Sequence, residues 1–581
     1  MEKENGRLIK TSIVCLLLGA AVGIVYYNVL PGGFVFDDYL LIVNHPIFPK
    51  ITAAPWSVLS PTVLGYRPLR TFSYVLDYWL GGMQPWVFHL SNILYHWVTA
   101  CLVFLVTLRL TRDVGGEGSA EEEVETRERR CWRTAILVAL FWALHPVLTD
   151  SVSYISGRRD ILGGLCFFFA FWAYLRFRAA QAKAPRRFGW LLLSCIVYGL
   201  GILSKESVIT LPALCWLYDV QREGLGESIY RRWAIYVLVL LLGFAVLWYF
   251  AGAMILKTIV LQSWHGGSAE SNFATVARIW VHYLSLMIYP KTLSADYSFD
   301  AFPISHSFFD PDVLTALSVL ATVGVVAWAL SRWRPLIGYG TLWMAIAILP
   351  VSHIIPIKEI AAEHYLYVPL YGFALICGVL LDAAYGSARD VGRARSLIVH
   401  GVIALLLVAA GIRIIERNRD WIDEETLWTV TVRTMPRCVR AHYNLAGVYL
   451  SRNRIEDARR EFTVVLSLVP NHVNALAGLG EIAFQQKQYG QALGFALQAA
   501  AFEPQKFRVQ YLLGWIYLGM KKFDEAQAYF QKARKLRPMY AGLYTGLESI
   551  AKERGDIKAA KRWAKMRRRL SPRTPSKQVW K

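Results

Sequence analysis

The chain has 581 residues, of which 55% are hydrophobic, 14% aromatic and only 18% charged, with a mean hydropathy of +0.34. Soluble globular chains carry about 25% charged residues, so this composition excludes that class and is far too apolar for a disordered chain. The 63 Lys and Arg against 42 Asp and Glu give a net charge of +21, which in a soluble protein would point to nucleic acid but in a membrane protein records topology.

In chain order, uncharged apolar runs fall at 11–30, 86–108, 134–148, 161–175, 188–203, 207–218, 233–256, 313–331, 336–355, 365–381 and 396–412. They read as about eleven transmembrane helices. Several are shorter than a full span, as happens where helices break around a membrane cavity. The first run follows Lys3, Arg7 and Lys10 and is long enough for an uncleaved anchor rather than a cleaved signal. The eight cysteines form no CxxC pair and read as buried thiols, not as disulfides or a zinc site.

With the N-terminus inside, the inner segments hold 22 Lys and Arg. The outer ones hold about half as many, among them Lys50, Arg67, Arg70, Arg158, Arg159, Lys205 and Lys358. The apolar stretch 274–290, with Arg278 and His282, would reverse this bias if it spanned, so it is assigned to the outer side, interfacial or re-entrant. The odd number of spans then puts the C-terminal region outside.

That region is a repeat array. Pro436, Pro470, Pro504, Pro538 and Pro572 recur every 34 residues, the period of tetratricopeptide repeats. Small residues such as Ala446, Gly480 and Gly514 let paired helices approach, and each proline ends a second helix. The reading is all-α: a polytopic membrane domain over 1–412, a connector and half-repeat cap over 413–436, a tetratricopeptide α-solenoid over 437–572, and a basic tail over 573–581. The last 31 residues hold 12 basic and 2 acidic groups, suited to anionic lipid head groups or an acidic partner. Nucleic acid is not needed as a partner.

Ionisable groups at the outer ends of membrane helices are functional candidates. The first group is Asp37–Asp38, adjacent carboxylates in an apolar setting, where repulsion should raise one pKa and suit a general base. Next come Tyr66-Arg67 and Arg70, followed by Asp77; His145 and Asp150, then Arg158, Arg159 and Asp160; Lys205-Glu206; and Glu363-His364-Tyr365 with Tyr367. Together they bring cations and carboxylates to one face, a mixture suited to an anionic lipid head group and a proton transfer.

These residues sit in stretches that run in family order: FVFDDYLLIVNHPIF, YRPLRTFSYVLDYWLGGMQPWVFHLSNILYH, LHPVLTDSVSYISGRRDILGGL, LSKESVITLPALCWLYDV, LSADYSFDAFP, EHYLYVPLYGF and RNRDWIDEETLW. With the repeats behind them, the chain resembles the transmembrane-and-tetratricopeptide O-mannosyltransferases, relatives of the protein O-mannosyltransferases within the GT-C glycosyltransferases. The resemblance covers nearly all of the membrane half.

The resemblance implies transfer of a sugar, mannose or another hexose, from a polyprenyl- or dolichyl-phosphate carrier to Ser or Thr hydroxyls, with inversion. It implies Asp37 as the base and Asp38 as a positioning group. The donor phosphate would be held by Arg158, Arg159 and Lys205, with Arg67 and Arg70 behind them, and His145, Asp150, Glu206, Glu363, His364 and Tyr365 in support. Many relatives have Arg at the position of His364, and Arg-Ala-Glu where this chain has Arg158-Arg159-Asp160. A divalent cation at Asp37, Asp38 and His45 is an alternative use of those groups, although mannosyltransferase relatives generally need none; no metal is assigned. The first helices of the repeats would present Arg440, Tyr443, Phe484, Arg508, Tyr511 and Trp515 to a polypeptide acceptor. The location expected is a bacterial inner membrane with periplasmic repeats, or an ER membrane with lumenal repeats. The competing functions are a non-enzymatic membrane scaffold, a related enzyme glycosylating a lipid or glycan, and a lipid flippase.

Overall fold

A computed structural model describes residues 2–45, 47–48, 67–114, 124–181, 186–224, 226–261, 264–298, 301–357, 359–391 and 393–570. Tyr66, Lys50, Lys358, Pro572 and the basic tail 573–581 lie outside the described residues. Among those described, every regular element is helical. The chain divides into two compact units, one of 1–298 with 302–430, the other of 299–301 with 431–581.

Each of the eleven apolar runs carries a helix. Five helices among the described residues are long and apolar enough to cross a membrane by themselves: Asn5–Val29, Pro85–Val114, Ile155–Ala179, Pro311–Trp333 and Ser396–Trp421. A sixth is the pair Val124–Ala143 and Pro146–Val152, bent by 49°. Arg187–Ile202, Arg232–Val246, Pro335–Val351 and Leu370–Tyr385 are apolar but shorter. By length and composition alone, five or six of the helices among the described residues qualify as spans.

The first unit has two chemically distinct ends. The helix Pro85–Val114 carries Asn92 near its start and Arg109 and Arg112 near its finish; Arg158–Ala179 begins on Arg158-Arg159-Asp160 and ends on Arg176 and Arg178. At 1.5 Å per residue, Asp160 and Arg176 stand roughly 24 Å apart along that helix, close to the thickness of a hydrocarbon core. Between the ends lies an aromatic core of Phe167, Phe168, Phe171, Trp343 and Tyr371, with Phe168 stacked on Trp343 at 6.0 Å. The helices Pro335–Ile348 and Leu370–Val391 touch backbone to backbone: a Cβ on Gly340 would stand 2.6 Å from the Gly372 carbonyl oxygen. Small residues make that close approach possible in a membrane bundle.

At the acidic-and-basic end the long helices break into short 3-10 turns at Pro146–Leu148, Ile155–Gly157, Glu206–Thr210 and Glu363–Leu366. The segment assigned to the outer interface forms the helix Ala269–Ile288, and its Met287 carbonyl and Tyr283 hydroxyl accept from His145 Nε2 and from the Ala362 N–H. Residues 413–430 group with the first unit, where Trp421 stacks on Tyr154 at 5.1 Å and Trp428 meets Phe36 edge-on at 5.0 Å.

Among the described residues the second unit contains four helix pairs. Their first helices begin at Val439, Val473, Phe507 and Ala541, and their second at Ile455, Tyr489, Phe523 and Ile557, a strict 34-residue register. Buried Ala458, Ala492, Ala526 and Ala560 recur at one position of the second helices, where a larger side chain would force the pairs apart. Each pair turns on a residue of positive φ: Asn453, Lys487, Lys521 and Gly555.

Candidate functional site

The chain leaves the first helix through Gly33, whose N–H donates to the Ile422 carbonyl at 2.9 Å. It then turns at Phe36, which has φ +51. A non-glycine residue there costs about 1–2 kcal/mol, and contacts with Trp428 and Tyr154 hold it. The turn separates the two carboxylates. Asp38 is fully buried and accepts from the Val35 N–H at 3.0 Å, from the Ser156 N–H at 2.9 Å and from the Ser156 hydroxyl. Burial pushes its pKa up to about 7, against those hydrogen bonds, and the Asp37 charge adds a little. The rise foreseen for one of the pair thus falls on Asp38, chiefly through desolvation rather than repulsion.

Asp37 is half-buried. Its N–H donates to the Tyr154 hydroxyl at 3.1 Å, and no described group donates to its carboxylate. Its charge acts on both Tyr154 and Arg159. Burial raises the Tyr154 pKa further than either carboxylate does. Sequence reading passed over Tyr154; its one signal was a lone phenol between the Asp150 and Arg158 motifs.

Beyond Tyr154 lies a continuous ionic chain. Arg159 Nε stands 3.2 Å from Asp160 Oδ2, and Lys205 Nζ 2.9 Å from Asp160 Oδ1. Arg159 Nη2 lies 3.1 Å from His364 Nε2. Arginine only donates, so Nε2 accepts and the ring proton sits on Nδ1, 2.8 Å from Asp150 Oδ2. The Lys205 ammonium stands 5.4 Å from the centre of the Tyr365 ring, and burial pulls its pKa down against the pull of Asp160 and Glu206. Next to it, Arg67 Nη2 meets both oxygens of Glu206 at 2.9 Å. Gly157 makes this entry possible: a Cβ there would lie 2.4 Å from the Ser151 carbonyl oxygen. The structure therefore gathers Arg159, Lys205, Arg67, Asp150, Glu206, His364 and Tyr365.

Other expected members stand elsewhere. Arg158 is fully buried, paired with Asp77, and donates to Asn92 Oδ1 and the Phe88 carbonyl at 2.7 Å each; its guanidinium lies 4.8 Å from the Tyr74 ring centre. It pins helices together and stands apart from the cluster of Arg159, Lys205 and Arg67. Arg70 is buried, and its charge acts on Tyr74 and His45. His145 is committed to the Met287 carbonyl through Nε2, while Nδ1 accepts from the Val147 N–H at 3.3 Å. Glu363 accepts from Tyr297 at 2.7 Å and from the Ser294 N–H, 3.7 Å from the buried Arg417. It supports the site only by placing its neighbour His364.

Among the described residues no three His, Cys, Asp or Glu side chains converge as a metal-binding group. The Asp38 oxygens serve Val35 and Ser156, and His45 Nδ1 serves the Ile47 N–H.

In the repeat unit, Arg508 Nη1 donates to the Tyr443 hydroxyl at 2.8 Å and Nη2 stands 3.6 Å from Glu481 Oε2. Tyr511 packs with Phe507, Trp515 and Tyr540 at 5.7, 6.1 and 5.4 Å. First helices thus bring Tyr443, Arg508, Tyr511 and Trp515 together, with Glu481 added. Phe484 is not among them; it packs on Tyr489 at 5.9 Å at a helix turn. Arg440 is half-buried near the start of the first repeat helix.

Tetratricopeptide repeat models match residues 443–506 and 507–540. The chain is 24% identical to protein O-mannosyl-transferase Tmtc3 of Drosophila melanogaster over 93% of its own length and 65% of that protein's. It is 26% identical to the human protein O-mannosyl-transferase TMTC1 over 80% of this chain and 56% of that one. The human protein O-mannosyl-transferase TMTC3 is 23% identical over 92% of this chain and 65% of that one. The chain spans less than two thirds of each of these relatives. They are the transmembrane-and-tetratricopeptide protein O-mannosyl-transferases that the sequence resembles.

Proposed function

We propose that the chain is an integral-membrane glycosyltransferase that moves a hexose, mannose by analogy with the relatives' names, from a polyprenyl- or dolichyl-phosphate carrier to Ser or Thr hydroxyls of a polypeptide. The observation that carries this is the Asp37 carboxylate: half-exposed, without a hydrogen-bond donor among the described residues, and within electrostatic reach of Arg159 at the edge of an ionic chain.

In this reading Asp37 takes the acceptor hydroxyl proton as the hydroxyl oxygen bonds to the anomeric carbon. The bond from that carbon to the phosphate oxygen breaks on the opposite face, so the centre inverts. The leaving phosphate carries the electron pair away, and its charge needs fixed cations. Arg159 keeps N–H donors beyond the two engaged with Asp160 and His364, so it meets the phosphate first, with Lys205 and Arg67 behind it. Asp38, Ser156 and Tyr154 hold the turn that aims Asp37. The repeat face of Tyr443, Arg508 and Tyr511 suits an extended polypeptide.

Glycopeptide mass spectrometry of cell-envelope proteins, with and without this protein, tests the reading. The expected result is loss of a single hexose from a defined set of Ser/Thr peptides. An unchanged O-hexose profile overturns it.

A further inference from the structure

At the end of the first unit away from Asp160, the helices Glu2–Tyr26 and Val124–Ala143 line an open cavity of about 610 Å³. Its lining is of two kinds: basic Arg7, Lys10, Arg129 and Arg133, and apolar Ile13, Val14, Ile136 and Leu137. On each helix the basic residues precede the apolar ones by about one turn, roughly 5 Å. Charge with apolar surface a turn away is the profile of a phospholipid.

The charge is also in excess. Arg129 pairs with Glu125, Arg7 lies 3.6 Å from Glu128, and Glu128 is shared with Arg112. Arg133 is held by Asp382 and lies 4.0 Å from the Tyr385 ring centre. Lys10 makes no ion pair among the described residues, and it is exposed. The four basic groups thus face only two lining acids, Glu125 and Glu128. The first helix is lightly packed, with 17% of its apolar window buried, so it has a face left over for a ligand.

We infer that this cavity is a binding site for an anionic phospholipid of the surrounding leaflet, its phosphate at Lys10 and Arg7 and its acyl chains along Ile13, Val14 and Ile136. The apolar lining selects a lipid over a soluble anion. The site is separate from the transferase reading and does not depend on it.

The test is native mass spectrometry of the full-length chain in detergent with equal palmitoyl-oleoyl phosphatidylglycerol and phosphatidylcholine. Phosphatidylglycerol should be retained over phosphatidylcholine by roughly thirtyfold, from about two basic contacts. Arg7→Ala with Lys10→Ala should abolish the preference, and Lys10→Glu alone should reduce it; both positions are exposed and tolerate change. Arg222→Ala with Arg332→Ala, the same charge loss outside the cavity, should keep it. Millimolar inorganic phosphate should not displace the lipid. Equal retention of the two lipids, equal loss in both double variants, or displacement by phosphate each overturns the inference.

Discussion

The proposed function gives the neighbours Asp37 and Asp38 opposite duties, and substitution should separate them. Asp38→Asn keeps one acceptor oxygen, but its amide nitrogen must face either the Val35 N–H or the Ser156 N–H, both now served by the carboxylate. One buried backbone donor is left unsatisfied, costing about 1–3 kcal/mol. Asp38→Ala strands both, for about 2–6 kcal/mol, a large share of a stability of about 5–15 kcal/mol. Asp37→Asn disturbs no described side-chain hydrogen bond, so it should shift stability by less than about 0.5 kcal/mol while lowering transfer by about 10²–10⁴-fold, the value of a general base. The assay pairs an unfolding midpoint in detergent with glycosyl transfer on the same sample. An Asp37→Asn protein as unstable as Asp38→Asn, or one that transfers normally while a stable Asp38→Asn protein does not, would refute the division of roles.

The adjacent arginines should separate as well. Arg158→Met leaves Asp77 buried without its partner and should cost about 3–5 kcal/mol, seen as loss of folded protein; Arg159→Lys should fold, lose the bonds to Asp160 and His364, and lower kcat/KM for the lipid donor roughly a hundredfold. In the repeats, Lys487 and Lys521 hold positive φ, so Lys487→Gly and Lys521→Gly should each stabilise by about 0.5–1 kcal/mol and Gly555→Ala should destabilise by about 1 kcal/mol, read by calorimetry of the full chain. Burial pushes Glu481 up to about 8 despite Arg508. Its folded pKa lies above its unfolded value, so the stability it lends is complete below about pH 4.3 and is lost as pH rises toward about 8. Glu481→Gln should flatten that slope in the calorimetric transition of the repeats, and an unchanged slope would assign it to another group.

The repeats were the most legible part, because five prolines and the alanines between them repeat one packing problem at one spacing. The membrane helices were legible as helices but not as spans: Leu211–Glu223 and Pro335–Ile348 are apolar without being long. Sequence named most members of the ionic cluster but could not tell neighbouring residues apart. Arg158 and Arg159 differ by about 100° around one helix, which sends one to Asp77 and the other to Asp160 and His364. Asp37 and Asp38 are separated by a strained turn at Phe36 that no residue pattern announces. Arg417 and Trp421 could not be assigned from sequence because their partners, Glu363 and Tyr154, lie far away in the chain.

The central claim is that Asp37 serves as the base in transfer from a lipid-phosphate sugar. The direct measurement uses the purified full-length chain in liposomes with polyprenyl-phosphate mannose labelled in the sugar and a Ser/Thr-rich peptide. Label should pass to the peptide with inverted anomeric configuration, and Asp37→Asn should abolish that passage while leaving the protein folded. Transfer with retained configuration, or equal transfer by the Asp37→Asn protein, would contradict the account.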